Sequence, residues 1–266
     1  MRDLRYVLLA VIALGLIGVT LVLALYFWRL QAVPAPAART ATMAFSPPNP
    51  EDAPADIRDA VMMGYNIMLD TAKYAPAYTG NGLSCSNCHF NGGIAQDGIP
   101  LVGVAAVYPK YRERARYATD LVARTDECFE RSMNGKAAPV ESREMQALQA
   151  YYAWISRGIP IYSKVPWLGV KRIKTDHVPN AEAGATVFRA RCTPCHGTDG
   201  QGTNVAPPLW GPKSFNDGAG MNKVEMLASF AFANMPRGAP GLSVAQAFDV
   251  AAFIAHQSRP HFATKH

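Results

Sequence analysis

Two short cysteine–histidine motifs carry the clearest chemistry in this sequence. Both have the pattern C-x-x-C-H, and their cysteines and histidines are Cys85, Cys88 and His89, and Cys192, Cys195 and His196. Two thiols at this spacing reach both vinyl groups of one porphyrin, and the histidine that follows can bind its iron. One such motif could belong to a redox dithiol or a zinc site, but two favour haem. The sequence therefore predicts two covalently bound c haems.

Each haem iron also needs a sixth ligand or an open position, and this choice separates electron carriers from catalysts. In the second half, Met235 follows His196 by 39 residues, an arrangement similar to that of ordinary monohaem cytochromes c. Met221 and Met226 lie earlier, in an amphipathic run, and suit a core role better. We predict that His196 and Met235 bind the second iron. A His/Met pair raises the reduction potential, which makes this haem the expected electron exit.

Cys128 is left without a partner when the haems have taken four of the five cysteines. A predicted helical run over residues 119–135 places Arg124, Cys128 and Ser132 on one face. A thiolate between a guanidinium and a hydroxyl suits a small sulfur oxyanion. Two alternatives stay open here. Cys128 could be an inert buried thiol, and Met133, about 140° away around a regular helix, could bind the first iron instead.

Composition and charge narrow the class of protein. The chain has 266 residues, of which 49% are hydrophobic and 17% charged, so it forms one or two globular domains and is not fibrous or disordered. The formal charge is +6, but the basic residues are dispersed and no four are consecutive. This pattern favours weak attraction of small anions over binding of nucleic acid, which we do not expect as a partner.

The N-terminal segment predicts a membrane anchor. From Tyr6 to Trp28 there are 23 uncharged residues, which reach about 34 Å as a helix. We predict a single transmembrane helix over residues 1–30, as an anchor or uncleaved signal, with cleavage near residues 35–38 as the alternative. Residues 31–54 are rich in proline and alanine and predict a tether. Because c haems are attached outside the bacterial inner membrane, the chain after Trp28 is expected on its periplasmic side.

The chain divides into two halves that share one arrangement of elements. Each half has an opening helix, a C-x-x-C-H motif, a glycine- and proline-rich loop region and a closing amphipathic helix. We predict an all-α fold of two tandem cytochrome c-type domains, at residues 55–157 and 180–266, joined by a linker at 158–179. Helices are expected over residues 56–74, 119–135, 142–156, from the Asn180 cap to 191, and from the Ser243 capping box onward.

Several first-half motifs resemble those of the di-haem c-type thiosulfate dehydrogenases, which form tetrathionate. The resemblance covers residues 58–260 and rests on Gly82–His89, Tyr108–Arg112, Cys128–Ser132, Tyr152–Ser156 and Gly158–Pro160. It implies that His89 and Cys128 ligate a catalytic first haem. It also implies that Arg114, Arg124 and Ser132 bind the substrate anion.

Two further expectations concern neighbours of these residues. Some members of the family have a lysine just before the methionine ligand and exchange the two with redox state. This chain has Asn234 there, which implies constant His/Met ligation. Arg112 and Arg116 are expected to face solvent and to pair with Glu113.

The resemblance implies an oxidoreductase that joins two thiosulfates into tetrathionate, in either direction, and exchanges two electrons with a cytochrome or another periplasmic or membrane acceptor. The alternative is a non-catalytic, membrane-anchored di-haem electron carrier. That carrier would use Met133 or Met145 as the first-haem ligand and leave Cys128 inert. A di-haem peroxidase fits less well because the chain is short for that architecture.

Overall fold

The computed structural model describes residues 2–31 and 43–263, and the chain forms two compact units, 1–43 and 44–266. The first unit contains helix α1, Arg2–Gln31, over the segment for which the sequence predicts an anchor. Within the described ranges, no helix has both the length and the apolar composition required to cross a membrane, and the anchor stays a prediction. Residues 32–42, in the predicted tether, lie outside the described residues.

The second unit is built mainly from helices, with one small sheet. Its helices are α2 Arg58–Leu69, α3 Thr71–Tyr74, α4 Leu121–Glu127, α5 Arg143–Ile155, α6 Ala181–Arg191, α7 Thr193–His196, α8 Val224–Asn234 and α9 Val244–Ala255, and its strands are β1 Lys110–Arg112 and β2 Tyr117–Thr119. Short 3₁₀ turns occur at Pro50–Asp52, Pro76–Tyr78, Cys85–Asn87, Asn91–Gly93, Val104–Val107 and Gly220–Asn222.

Capping side chains set two helix starts at the positions that the sequence predicts. Asn180 caps α6, and Ser243 forms a capping box with Gln246 at the start of α9. The predicted first helix is interrupted because Asp70 accepts a hydrogen bond from the Lys73 N–H and thereby caps a separate helix, α3. The first helix is therefore shorter than the sequence pattern predicts.

The structure contains a β1–β2 hairpin that the sequence analysis, which predicts an all-α fold, does not include. Its strands are antiparallel, with Lys110 opposite Thr119 and Arg112 opposite Tyr117. Arg116 adopts a positive φ of 61° in the connecting turn, which lets the short loop reverse direction. The tyrosines in both strands favour extended backbone. The hairpin is short, but it carries two basic side chains to the site described below.

Each half packs its opening helix against its closing helix through a glycine. A Cβ on Gly64 of α2 would collide with the Ala147 carbonyl oxygen of α5, and a Cβ on Gly184 of α6 would collide with the Asp249 carbonyl oxygen of α9. The two helix pairs are centred on separate apolar clusters, one in each half. The duplication that the sequence predicts is therefore present in the packing itself.

The segments outside the helix pairs also pack closely. The Trp154 indole N–H donates to the Asn49 carbonyl at 3.1 Å, and Ala53 is fully buried, so the last part of the predicted tether is folded onto the first half. In the linker, Trp167 donates to the Val102 carbonyl at 2.7 Å, and His177 lies 2.6 Å from the Asp249 carboxylate of α9. The linker therefore contacts both halves.

Replacing Gly64 by alanine should lower the free energy of unfolding by about 1–3 kcal/mol, because the added methyl group overpacks the α2–α5 contact. Gly82→Ala is the matched control, since a Cβ at Gly82 meets nothing within 4 Å. The control should change stability by less than about 0.5 kcal/mol. Thermal and denaturant unfolding of the haem-loaded protein would measure both, and equal stability of the two variants would contradict the close helix contact.

Candidate active site

The first C-x-x-C-H motif opens into a cavity of about 430 Å³ that is lined mainly by residues of the first half. Apolar side chains make up much of its wall. The predicted site residues on the same wall are Cys85, Cys88, His89, Arg124, Cys128 and Ser132. The structure therefore brings the haem-attachment motif and the predicted Arg–Cys–Ser face together around one space.

The second motif lines a cavity of about 230 Å³. Cys192, Cys195 and His196 lie on its wall together with Met235, the predicted sixth ligand. Cys195 is exposed to solvent, so one edge of this site reaches the surface. Met221 also lines this cavity, although the sequence pattern favours a core role for it.

Both motif histidines are oriented by backbone carbonyls, which is the arrangement that an iron ligand requires. The Nδ1 of His89 lies 2.7 Å from the Ile99 oxygen, and the Nδ1 of His196 lies 2.8 Å from the Pro207 oxygen. Donation from Nδ1 leaves the Nε2 lone pair free. Burial lowers the pKa of His89 to about 4 and also lowers the pKa of His196, so both rings are neutral near pH 7. The two donor sets thus fit a c haem in each cavity.

A π-helical turn positions the fifth cysteine. After α4 the chain continues through Cys128–Ser132, and the Met133 N–H donates to the Cys128 carbonyl at 2.9 Å. The wider turn brings both Cys128 and Met133 to the cavity wall, which a regular helix would separate. Met133 is also part of the first hydrophobic core. Met145 is fully buried in that core and is not among the residues that line the cavity.

Arg124 makes the closest polar contact to the fifth cysteine. Its Nη1 lies 2.8 Å from the Cys128 Sγ, and the proximity of Cys128 raises the pKa of Arg124. Glu127 lies 3.7 Å from Arg124 and only 2.6 Å from Arg112, and so it links the two guanidinium groups. The structure therefore places a guanidinium cation directly against the Cys128 sulfur.

Two basic residues that sequence analysis did not assign to the site line the cavity through β1. Lys110 and Arg112 are two residues apart and lie on the same side of the strand. Arg112 was expected to face solvent and to pair with Glu113, and this was wrong because it turns inward to Glu127. Burial lowers the pKa of Lys110, and repulsion by Arg112 and Arg124 lowers it further. The spacing of two basic residues in Lys110–Arg112 could have indicated that both side chains lie on one face. That inference requires a β-strand there, and the sequence analysis did not predict one.

Arg114, in contrast, is not among the residues that line the cavity. It lies in the hairpin turn, is exposed, and donates to the Gly218 carbonyl of the second half at 2.7 Å. Ser132 lies on the wall as predicted. The structure thus gathers Arg124, Cys128 and Ser132 at the cavity but places Arg114 outside it.

The two cavities share part of their walls. Five residues line both of them, namely Leu83, Asn87, Cys88, Phe215 and Met221. Phe215 and Met221 come from the second half, as does Met226, which lines only the first cavity. Asn216 fastens this loop to the first half, since its side chain donates to the Glu130 carbonyl at 2.8 Å. The second half therefore closes part of the first cavity, and its residues Phe215 and Met221 lie in the wall between the two cavities.

Comparison with known families agrees with this arrangement. Residues 72–161 match the family described as "SoxA/TsdA, cytochrome c domain", and residues 181–258 match the family described as "Cytochrome c". Each match contains one C-x-x-C-H motif. The chain is a di-haem cytochrome c, with both haems attached covalently.

Individual relatives show to which family of di-haem cytochromes c the chain belongs. A thiosulfate dehydrogenase of Thiomonas intermedia is 42% identical over 225 residues, covering 81% of this chain and 71% of its own. One of Allochromatium vinosum is 37% identical, covering 77% and 80%. The solved "Thiosulfate dehydrogenase (TsdBA)" of Marichromatium purpuratum has a TM-score of 0.79 at 30% identity, and the match covers 83% of this chain but only 50% of that one. The chain belongs to the thiosulfate dehydrogenase family and is an oxidoreductase.

Replacing Met235 by leucine should abolish the methionine–iron charge-transfer absorption of the oxidised protein and lower the potential of the second haem. Leucine preserves volume but removes the sulfur ligand. Met221→Leu is the matched control because Met221 lines the same cavity. This control should retain the absorption band. Loss of the band in Met221→Leu, with its retention in Met235→Leu, would identify Met221 as the ligand instead.

Proposed function

We propose that this protein oxidises two thiosulfate ions to one tetrathionate ion at the first cavity. The observation that carries the proposal is the 2.8 Å contact between Arg124 and Cys128 on a wall shared with the first haem motif. A cysteine held as a thiolate beside the haem site is a group that can react with sulfur. The thiosulfate dehydrogenase relatives support the same substrate.

Substrate binding rests on the positive charge of the cavity wall. Lys110, Arg112 and Arg124 all line the cavity, and Glu127 offsets only part of their charge. Thiosulfate is a dianion, and two of them repel each other when their outer sulfurs approach. Fixed cations at the site reduce that repulsion as the new sulfur–sulfur bond forms. Ser132 supplies a hydroxyl donor on the same wall.

Joining two thiosulfates through their outer sulfurs releases two electrons and no protons. The haems, when bound, supply two one-electron acceptors in one chain. The chain's own residues determine where the anions lie and which sulfur reacts. Because each step is reversible in principle, the potential of the external acceptor sets the net direction.

The Cys128 sulfur takes part in the reaction covalently. It forms a bond with the outer sulfur of the first thiosulfate, and two electrons leave the sulfur pair. The outer sulfur of a second thiosulfate then attacks the bound outer sulfur, the bond to Cys128 breaks, and tetrathionate departs. The leaving group is the Cys128 thiolate, which the Arg124 guanidinium stabilises as it forms.

Electrons leave at the second haem site, where Cys195 is exposed and Met235 lies on the wall. The acceptor is a cytochrome or another periplasmic or membrane electron carrier. We place the second unit on the periplasmic side of a bacterial inner membrane, because covalent haem attachment takes place there. The 23 uncharged residues from Tyr6 to Trp28 are the support for an N-terminal anchor.

The proposed function predicts a fixed stoichiometry. The purified haem-loaded protein, mixed with thiosulfate and ferricyanide, should form one tetrathionate for each two thiosulfates consumed and two ferricyanides reduced. Ion chromatography and acceptor absorbance would measure the three quantities. No turnover, with haems that still accept electrons from small reductants, would overturn the proposal and favour an electron carrier.

In the same assay Cys128→Gly should lower kcat by about a thousandfold or more while both haems stay attached.

The two neighbouring arginines should differ in their effect on substrate affinity. Arg112→Gln should raise the KM for thiosulfate about tenfold, because it removes a cation from the cavity wall. Arg114→Gln is the matched control, and it should change KM less than about twofold because Arg114 binds the Gly218 carbonyl outside the cavity. Steady-state kinetics at constant ionic strength would separate them. A larger increase of KM in Arg114→Gln than in Arg112→Gln would instead assign thiosulfate binding to Arg114.

A further inference from the structure

One buried amide connects the ligand loops of the two haem sites. Asn234, at the end of α8, is 7% exposed. Its Oδ1 accepts a hydrogen bond from the Gly98 N–H of the first half at 2.7 Å, and its Nδ2 donates to the Phe230 carbonyl at 2.9 Å. Both ends of the side chain are therefore engaged, one across the junction between the halves and one within its own helix.

On the first side, the contact reaches the peptide unit that orients His89. Gly98 has a positive φ of 74°, and a Cβ there would lie 2.8 Å from the Phe90 ring and 2.9 Å from the Cys88 oxygen. The next residue, Ile99, donates to the Cys88 carbonyl at 3.0 Å and accepts from His89 Nδ1 at 2.7 Å. Asn234 thus fixes the backbone one residue away from the partner of the axial histidine.

On the second side, Asn234 directly precedes Met235. The Met235 N–H donates to the Ala231 carbonyl at 2.8 Å, which ends α8 and directs the methionine to the second cavity. Aromatic contacts reinforce the junction around the amide. The Phe90 and Phe230 rings lie 5.9 Å apart edge to face, and the Arg237 guanidinium lies 4.3 Å from the Phe90 ring centre.

We propose that Asn234 is a positioning residue that couples the ligand geometry of the two irons. Through Gly98 it fixes the His89 loop, and through the end of α8 it fixes Met235. A change at this one side chain therefore alters the surroundings of both haems, although it lies in only one half. This role does not depend on which substrate the first cavity binds, since it concerns the haem ligands alone.

The test compares three variants of the haem-loaded protein. Asn234→Ala removes both hydrogen bonds. Asn234→Asp keeps an oxygen acceptor for the Gly98 N–H but loses the donor to Phe230. Ser229→Ala is the control, because Ser229 lies buried on the same helix and binds Glu225 and Ile173 rather than the first half.

Spectroelectrochemical titration and electron paramagnetic resonance would follow each haem separately. Asn234→Ala should change the reduced-to-oxidised ratio of both haems about threefold to tenfold at a fixed potential and should alter the first-haem resonance signal. Asn234→Asp should restore the reduced-to-oxidised ratio and the resonance signal of the first haem but not the ratio of the second. Ser229→Ala should change neither haem. Effects confined to the second haem in Asn234→Ala, or a lower unfolding temperature with both haems unchanged, would overturn the proposal.

A measurement on the unaltered protein covers the case in which Asn234→Ala fails to fold. Hydrogen exchange of the Gly98 amide should be as slow as that of the Met235 amide, because both belong to one cooperative unit. Fast exchange at Gly98 with slow exchange at Met235 would overturn the coupling.

Discussion

The 2.8 Å contact between the Arg124 Nη1 and the Cys128 Sγ places a cation against a sulfur in a cavity with many apolar side chains. Under the proposed function this cation stabilises the Cys128 thiolate, because a buried anion needs a partner of opposite charge. Several elements of the first half position this contact. Helix α4 carries Arg124, the π turn directs Cys128 to the cavity wall, and Glu127 holds Arg124 and Arg112 in one network. The hairpin then adds Lys110 to the same wall. Under the proposed function, the charge that stabilises the Cys128 sulfur anion is also available to a sulfur anion from solution.

The same fold is used differently in the two halves. In each half a glycine allows the opening helix to approach the closing helix, and a backbone carbonyl fixes the haem histidine. The two cavity walls differ in their other polar and sulfur side chains. The first cavity carries Arg124 and Cys128, whereas the second carries Met235 at the end of α8. Under the proposed function, the same packing thus supports sulfur chemistry at one site and electron exchange at the other.

The sequence alone predicted those features whose physical cause lies within a few neighbouring residues. The haem motifs have fixed spacing, and the caps at Asn180 and Ser243 act within one turn, so these predictions were confirmed. The hairpin and its inward Arg112 were missed because three-residue strands give little alternation and depend on tertiary contacts. The π turn was missed for a related reason. Its extra residue has no sequence signature, yet it decides that Cys128 and Met133 lie on one cavity wall.

The wall shared by the two cavities limits how this architecture can be divided or recombined. Phe215, Met221 and Met226 complete the first cavity although they belong to the second half. An isolated first half would open its haem to solvent at that wall, and a foreign monohaem cytochrome in place of the second half would have to reproduce those three side chains. The halves resemble independent modules in layout, but a substitution at Phe215 or Met221 alters the walls of both cavities.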